Sequence, residues 1–129
     1  MLNQQSTIFI SGASDGLGKA IALEIASRTA CNLAICGRSE EKLRAVLKQI
    51  NDINPDCKVI VASFDASDIS ACNQFADHVL NEFGNISILV NNAGANTKKA
   101  TVEEMDLNDL NYMFQLNVMS HVAFIQKFL

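Results

Sequence analysis

The sequence predicts an α/β fold, a doubly wound parallel sheet with helices on both faces. Short apolar runs rich in β-branched residues alternate with longer segments in which apolar residues recur every three or four positions. The short runs are apolar at successive positions, as expected of parallel strands that are covered on both sides. This alternation of strand and helix implies right-handed crossovers and three layers, α/β/α.

Four runs predict strands, and helical stripes separate them. The strands are TIFIS (7–11), NLAIC (32–36), KVIVASF (58–64) and ISILVN (86–91). The stripes are Leu17, Ala20, Ile21 and Ile25, then Leu43, Val46, Leu47 and Ile50, then Cys72, Phe75, Ala76, Val79, Leu80 and Phe83.

Helix start and stop signals agree with these spacings. Ser39 and Asp68 stand where amino-terminal caps belong, and Gly84 follows the third helix as a carboxyl-terminal cap. The stretch TVEE (101–104) matches a capping box and predicts a short turn. A long apolar helix is predicted from about Asp106 to the end of the chain. Residues 1–129 are therefore predicted to form a single domain.

A glycine-rich stretch, SGASDGLG (11–18), lies where the first strand gives way to the first helix. In doubly wound sheets this turn binds the phosphates of a nucleotide. Gly12 would permit the tight turn, Gly16 the approach of backbone amides to a pyrophosphate, and Gly18 the close packing of helix on strand. The predicted cofactor loop also includes Ser14, Asp15 and Leu17. The alternative is that these are ordinary turn glycines.

The end of the second strand indicates which dinucleotide the loop would bind. About twenty residues beyond the glycines, an acidic side chain hydrogen-bonds the ribose 2′-hydroxyl of NAD. Here Gly37 takes that place and Arg38 follows, so a guanidinium can pair with a 2′-phosphate. NADP is therefore favoured over NAD, with Arg38 and Ser39 in the predicted site. Against this, Arg38 is also explained as a solvated helix start, and Asp15 places a negative charge in the glycine loop.

Taken together, these residues and three further landmarks resemble the short-chain dehydrogenase/reductase family over essentially the whole chain. SGASDGLG is similar to the family's T-G-x-x-x-G-x-G loop, with Ser11 in place of threonine. Asp65 in FDASD matches the aspartate that contacts the adenine ring. NNAG (91–94) matches the segment that steadies the sheet and lines the cofactor cleft. Asn117 in LNVMSH is similar to the helix asparagine of a proton relay.

The resemblance implies a Rossmann-type sheet of strand order 3-2-1-4 and hydride transfer between NADP and a small carbonyl or alcohol substrate. It also implies a catalytic role for Asn117 and cofactor contacts at Asp65, Ala66, Asn92, Ala93 and Gly94. The residues alone leave other interpretations. Asp65 is equally consistent with a turn residue, the asparagines of NNAG with loop formers, and Asn117 with a core amide whose hydrogen bonds are satisfied. His121 is interpreted as structural.

The family's reacting groups are a serine and a Tyr-x-x-x-Lys pair beyond the Asn117 landmark. None is present before Leu129, because Tyr112 has Leu116 four positions later and Lys127 is too distant to be its neighbour on a helix. The chain is therefore expected to be the amino-terminal portion of a longer reductase and to be inactive alone. Its last helix is apolar on most sides, which predicts a homo-oligomer through that helix, and aggregation or association of the 129 residues alone.

Composition and charge disfavour several other classes. The chain is 49% hydrophobic and 19% charged, as in an ordinary globular domain. A net charge of −4 with scattered basic residues predicts no binding to nucleic acid or to membranes. No signal peptide or apolar run of about 18 residues is present, so a cytoplasmic location is expected. The cysteines have no C-x-x-C spacing and are expected to be buried free thiols, with no metal site. They are Cys31, Cys36, Cys57 and Cys72.

Two functions follow from the sequence, and the fold cannot choose between them. One is an NADP-dependent oxidoreductase of the resembled family. The other is a non-catalytic NADP-binding or protein-interaction module built on the same half-fold. The identity of the substrate is beyond the sequence, because in this family it depends on segments near the carboxyl end that the chain does not contain.

Overall fold

The computed structural model describes residues 1–129 as a four-stranded parallel sheet of order β3-β2-β1-β4 with helices on both faces. The predicted fold class and strand order are confirmed. The elements are β1 (Thr7–Ser11), α1 (Gly16–Arg28), β2 (Asn32–Gly37), α2 (Glu40–Ile53), β3 (Lys58–Ser63), α3 (Ile69–Phe83), β4 (Ile88–Val90), α4 (Leu107–Phe114), a π-helical turn (Gln115–Met119) and α5 (Ser120–Phe128).

Side chains of the two central strands alternate between two cores, one on each face of the sheet. Ile8 and Ile10 of β1 pack in the core that α1 and α2 cover. Phe9, which lies between them in the sequence, packs in the core that α3 and α5 cover. Because successive residues of a strand point to opposite faces, an unbroken apolar run fills both cores.

The fourth strand is shorter than predicted. It pairs with β1 only over Ile88–Val90, whereas the apolar pattern extends over 86–91. The chain leaves the sheet after Val90 because the Ser11 hydroxyl accepts hydrogen bonds from the backbone N–H groups of Asn92 (3.1 Å) and Ala93 (3.0 Å). The Ser11 side chain thus takes the place of the next backbone hydrogen bonds between β1 and β4.

The first helix faces the sheet through small residues rather than through the predicted stripe. Gly18, Ala22 and Ala26 are its buried positions, whereas Leu17 is 68% exposed. A Cβ atom added to Gly18 would lie 2.4 Å from the carbonyl oxygen of Gly12. The helix therefore approaches the sheet too closely for large side chains, which are displaced to its flanks.

The last helix is interrupted by the π-helical turn, which the sequence did not predict. In this turn the Ser120 N–H donates to the Gln115 carbonyl, five residues earlier. A π turn adds one residue and rotates every later position by about 100° relative to an unbroken helix. Exposure changes along this segment: before the turn Leu110 is 45% exposed and Phe114 is 54% exposed, whereas Phe124 after it is fully buried.

The predicted caps of α2 and α3 and the predicted buried thiols are confirmed, whereas the stretch 101–104 forms a turn without the side-chain bonds of a capping box. The side chains of Ser39 and Asp68 accept hydrogen bonds from the first turns of α2 and α3, and Gly84 ends α3 with a φ of +85°. All four cysteines are free and buried, and burial raises the pKa of Cys31 and of Cys72 to about 11. None of the helices is both long and apolar enough to cross a membrane.

Candidate functional site

A cleft of about 430 Å³ opens at the carboxyl ends of β1, β2 and β4. The cleft lies at the switch point of the sheet: β2 and then β3 follow on one side of β1, whereas β4 lies on its other side. Clefts at this position of an open α/β sheet bind ligands. The lining residues are Gly12, Ser14, Asp15, Gly16, Cys36, Gly37, Arg38, Phe64, Ala66, Asn92, Ala93, Gly94 and Leu116.

The glycine loop forms the floor of the cleft, and each of its glycines has a different constraint. Gly12 has a φ of +67°, and a Cβ there would lie 2.9 Å from Cα of Ala93. Gly16 also has a positive φ of +57° but has no atom within 4 Å of a Cβ position. Its backbone therefore needs glycine for its conformation and leaves open space at the amino terminus of α1. Gly18 does not line the cleft and serves the packing of α1.

Two side chains connect the glycine loop to the NNAG segment. The Ser11 hydroxyl accepts from the backbone of that segment, as described above, and the Asn92 side-chain amide donates to the Gly12 carbonyl (2.9 Å). His121 of α5 contacts the same segment, with Nε2 2.8 Å from the Ala93 carbonyl oxygen. These contacts fix the loops on both sides of the cleft to each other.

The negative charge of Asp15 is paired within the protein. Its carboxylate caps α1 by accepting from the Gly16 N–H (2.9 Å), and it forms an ion pair with Lys42 of α2 at 3.0 Å. The hydrogen bond from Lys42, with that from Gly16, holds the pKa of Asp15 below its ordinary value. The acidic residue that counted against a 2′-phosphate therefore has a counter-ion beside it.

Arg38 lines the cleft just after β2, and the residue before it, Gly37, has no side chain that could pair with the guanidinium. A Cβ atom at Gly37 would lie 2.9 Å from the Ser14 hydroxyl oxygen. The Arg38 carbonyl accepts from the Ser63 hydroxyl (2.9 Å), which fixes the backbone of this corner. The Ser39 hydroxyl caps α2 by accepting from the Lys42 N–H (3.3 Å) and does not line the cleft.

Asp65 lies at the same end of the cleft as Arg38, after β3. Its carboxylate accepts from the Ser67 N–H (2.9 Å) and from the Tyr112 hydroxyl of α4 (2.9 Å). Burial by itself raises the pKa of Asp65, but these two hydrogen bonds and the nearby Arg38 charge outweigh burial and hold the pKa below its ordinary value. Asp65 is therefore anionic at neutral pH.

Asn117 lies in the π-helical turn and is bonded to the backbone after NNAG. Its Oδ1 accepts from the Ala95 N–H and its Nδ2 donates to the Ala95 carbonyl, both at 2.9 Å. A Cβ at Gly94 would lie 2.9 Å from Asn117 Oδ1, so the two residues are in close contact. The polar residue on an apolar helix thus has partners for both ends of its amide. In the NNAG segment, the buried Oδ1 atom of Asn91 has no hydrogen-bond partner.

The geometry agrees with comparisons to known proteins. A family model described as short chain dehydrogenase matches residues 6–129. The chain belongs to the short-chain dehydrogenase family. It is 34% identical over 116 residues to an 11-beta-hydroxysteroid dehydrogenase A of Sesamum indicum, an alignment that covers 89% of this chain and 32% of that protein.

The names of two further relatives of the chain include a cofactor. An NADPH-dependent pterin aldehyde reductase of Arabidopsis thaliana is 29% identical over 123 residues, which cover 95% of this chain and 49% of that protein. A metagenomic short-chain oxidoreductase in complex with NADP superposes with a TM-score of 0.89 at 27% identity, over 98% of this chain and 56% of that one. The chain thus spans about a third to a half of the length of the relatives whose sequences it matches.

The structure brings most of the predicted site residues to one cleft. The predicted residues that line it are Gly12, Ser14, Asp15, Gly16, Arg38, Ala66, Asn92, Ala93 and Gly94. The predicted residues that do not line it are Leu17, Gly18, Ser39, Asp65 and Asn117. The apolar walls supplied by Cys36, Phe64 and Leu116 were missed, because nothing distinguishes them in sequence from other core residues. No three His, Cys, Asp or Glu side chains come together in a geometry that could hold a metal ion.

Proposed function

We propose that the protein is an NADP-dependent oxidoreductase that moves a hydride between nicotinamide C4 and the carbonyl or alcohol carbon of a small molecule. One observation carries the choice of cofactor: Arg38 lines the cleft at the end of β2, directly after Gly37, which presents no carboxylate there. A guanidinium that follows a glycine, where an acidic residue would bind the 2′-hydroxyl of NAD, favours a 2′-phosphate over a bare ribose. The names of the NADP-linked relatives support the same choice.

The cleft residues divide into groups that suit the parts of this cofactor. The backbone around Gly12 and Gly16, at the amino terminus of α1, is suited to a pyrophosphate. Arg38 would hold the 2′-phosphate and Ala66 would lie against the adenine ring, with Asp65 next to Ala66 but outside the cleft lining. Asn92, Ala93 and Gly94 line the cleft beside the glycine loop. NADP, when bound, supplies the hydride chemistry.

The chain's own catalytic contribution is proposed to be limited to Asn117. Its side-chain amide makes one hydrogen bond at each end, both to Ala95, and so retains one donor and one acceptor position for a proton relay. Tyr112 does not substitute for the family's tyrosine, because its hydroxyl is bonded to Asp65 at the Arg38 end of the cleft. We therefore propose that the 129 residues bind the cofactor without turning over a substrate.

Separate titrations with NADPH and NADH, followed by nicotinamide fluorescence, test this proposal. NADPH is expected to bind at least about tenfold more tightly, the scale of a charge-assisted hydrogen bond. Equal or tighter binding of NADH would contradict the role of Arg38. Specific NADPH binding in a full-length protein that has no oxidoreductase activity would favour the binding module instead.

The ion pair between Asp15 and Lys42 gives a second prediction. Lys42→Ala is expected to weaken NADPH binding by about two- to fivefold, because it leaves an unpaired carboxylate at the edge of the cleft. Adding Asp15→Asn is expected to restore most of the loss. The matched control is Lys48→Ala, which removes the same charge from α2 at a pair with Asp52 (3.5 Å) and is expected to leave the affinity unchanged. If Asp15→Asn does not restore the NADPH affinity that Lys42→Ala loses, the proposed role of the ion pair is contradicted.

The terminal helices present an apolar surface that supports the proposed homo-oligomer. Its exposed side chains recur along α4, the π turn and α5: Leu107, Leu110, Phe114, Val118, Met119, Val122, Ile125 and Leu129. So many exposed apolar side chains in one terminal segment exceed the scattered apolar residues of an ordinary surface and indicate an interaction surface. Sedimentation of the chain is expected to show dimers or larger species, and Phe114→Asp with Val122→Asp is expected to reduce their size. A monomeric wild-type chain that unfolds cooperatively would contradict the proposal.

A further inference from the structure

Tyr112 connects the two charged residues at one end of the cleft. It lies on α4, and its hydroxyl donates to Asp65 Oδ2 at 2.9 Å. The same oxygen lies 3.4 Å from Arg38 Nη1, which donates to it in a longer and weaker hydrogen bond. The three residues come from α4, from the loop after β3 and from the corner after β2, so the contact joins separate elements.

The hydroxyl stands between a cation and an anion. A phenol donates one hydrogen bond and accepts others, so it can satisfy a carboxylate and a guanidinium at the same time. Arg38 and Asp65 form no direct ion pair, and the carboxylate takes its hydrogen bonds from Ser67 and Tyr112 instead. Arg38 thus has only one of its donors engaged by a side chain, through a weak bond to a neutral oxygen.

This separation matters for a ligand phosphate. A guanidinium that is bound directly to a carboxylate must break that pair before it can bind a phosphate in the bidentate geometry. A guanidinium bound to a neutral hydroxyl has no counter-ion, and most of its N–H donors can still bind a phosphate. We propose that Tyr112 is a specificity-determining positioning residue, which keeps Arg38 from pairing with Asp65 and so reserves it for the 2′-phosphate. The inference rests on the proposed NADP specificity.

The protonation states agree with this arrangement. Burial raises the pKa of Tyr112, and its hydrogen bond to Asp65 raises it further, against the opposing effect of Arg38. The hydroxyl therefore remains a donor at neutral pH, where Asp65 is an acceptor.

Tyr112→Phe tests the inference because it removes the hydroxyl and keeps the ring. Without its donor, the Asp65 carboxylate is expected to draw the Arg38 guanidinium into a direct pair. The dissociation constant for NADPH is then expected to rise about 3- to 10-fold, while that for NADH changes less than about twofold. Unchanged or tighter NADPH binding, or an equal loss for both nucleotides, would overturn the inference.

A double-mutant cycle with Arg38→Ala separates positioning from a general structural effect. If Tyr112 acts through Arg38, then adding Tyr112→Phe to Arg38→Ala is expected to leave the ratio of the two dissociation constants unchanged. A change in that ratio of the same size in both backgrounds would overturn the inference, because the hydroxyl would then act independently of the guanidinium.

The contact itself can be measured without any nucleotide, since Tyr112 is the only tyrosine and the chain has no tryptophan. The pKa of Tyr112, measured by ultraviolet absorbance, is expected to lie above the ordinary tyrosine value. In Asp65→Asn this pKa is expected to move to lower pH, because the hydrogen bond to a charged acceptor is lost. No movement would overturn the inference. A chain that shows the movement but binds neither nucleotide would instead contradict the proposed function.

Discussion

Arg38→Ala is expected to weaken NADPH binding by about 1.5–3 kcal/mol, or roughly 10- to 150-fold, and to leave NADH binding nearly unchanged. Arg38 lines the cleft next to a glycine, and its truncation removes the one positive side chain among the residues that line the cleft. The measurement is a pair of fluorescence titrations, with NADPH and with NADH, on the wild type and the variant.

Arg44→Ala is the matched control for this effect. Arg44 lies on α2 close in sequence to Arg38, is exposed, and pairs with Glu40 at 2.6 Å without lining the cleft. Its removal changes the net charge equally and is expected to change neither affinity by more than about twofold. Equal losses in the two variants would assign the effect to overall charge and would contradict a specific contact with the 2′-phosphate.

Phe9→Ala is expected to lower the free energy of unfolding by about 3–5 kcal/mol. Phe9 is fully buried at the centre of β1, and its ring centroid lies 5.4 Å from that of Phe75, 4.7 Å from that of Phe124 and 4.9 Å from that of Phe128. Truncation would leave a cavity between the sheet, α3 and α5, and the surrounding rings can fill it only in part. Denaturant unfolding followed by circular dichroism measures the loss.

The size of that loss separates a packed aromatic cluster from a loose one. Phe9→Leu keeps much of the volume and is expected to cost less than about 1.5 kcal/mol. Val102→Ala, at a position that is 90% exposed, is expected to change stability by less than about 0.5 kcal/mol. A cost below about 1 kcal/mol for Phe9→Ala would mean that α5 is not held on the sheet by this cluster, and the placement of Asn117 beside the cleft would then lack its support.

The order of the strands and helices could be predicted because each element has its own signal within a short stretch of sequence. Apolar runs identify β1 and β2, and cap residues such as Ser39 and Asp68 fix the starts of helices. The π-helical turn at Gln115–Met119 has no such local signal, so the sequence predicted a helix there but not its interruption. The end of β4 also depends on a distant residue, Ser11, which takes the backbone hydrogen bonds of the next segment.

The same distinction applies to the candidate site. The glycine loop and Arg38 were predicted because their spacing along the chain carries the chemistry. Lys42 and Tyr112 were not, because each acts through a partner that is remote in sequence: 27 residues separate Lys42 from Asp15, and 47 separate Tyr112 from Asp65. Only the folded chain shows that the charge of Asp15 is paired and that Tyr112 lies between Asp65 and Arg38.

A crystal structure of the protein grown with NADPH tests the central claim most directly. The account predicts that the pyrophosphate contacts the backbone between Gly12 and Gly16 at the amino terminus of α1, and that the 2′-phosphate lies within hydrogen-bond distance of the Arg38 guanidinium. A saturating nucleotide concentration that leaves this cleft empty, or a bound nucleotide whose 2′-phosphate points away from Arg38, would contradict it.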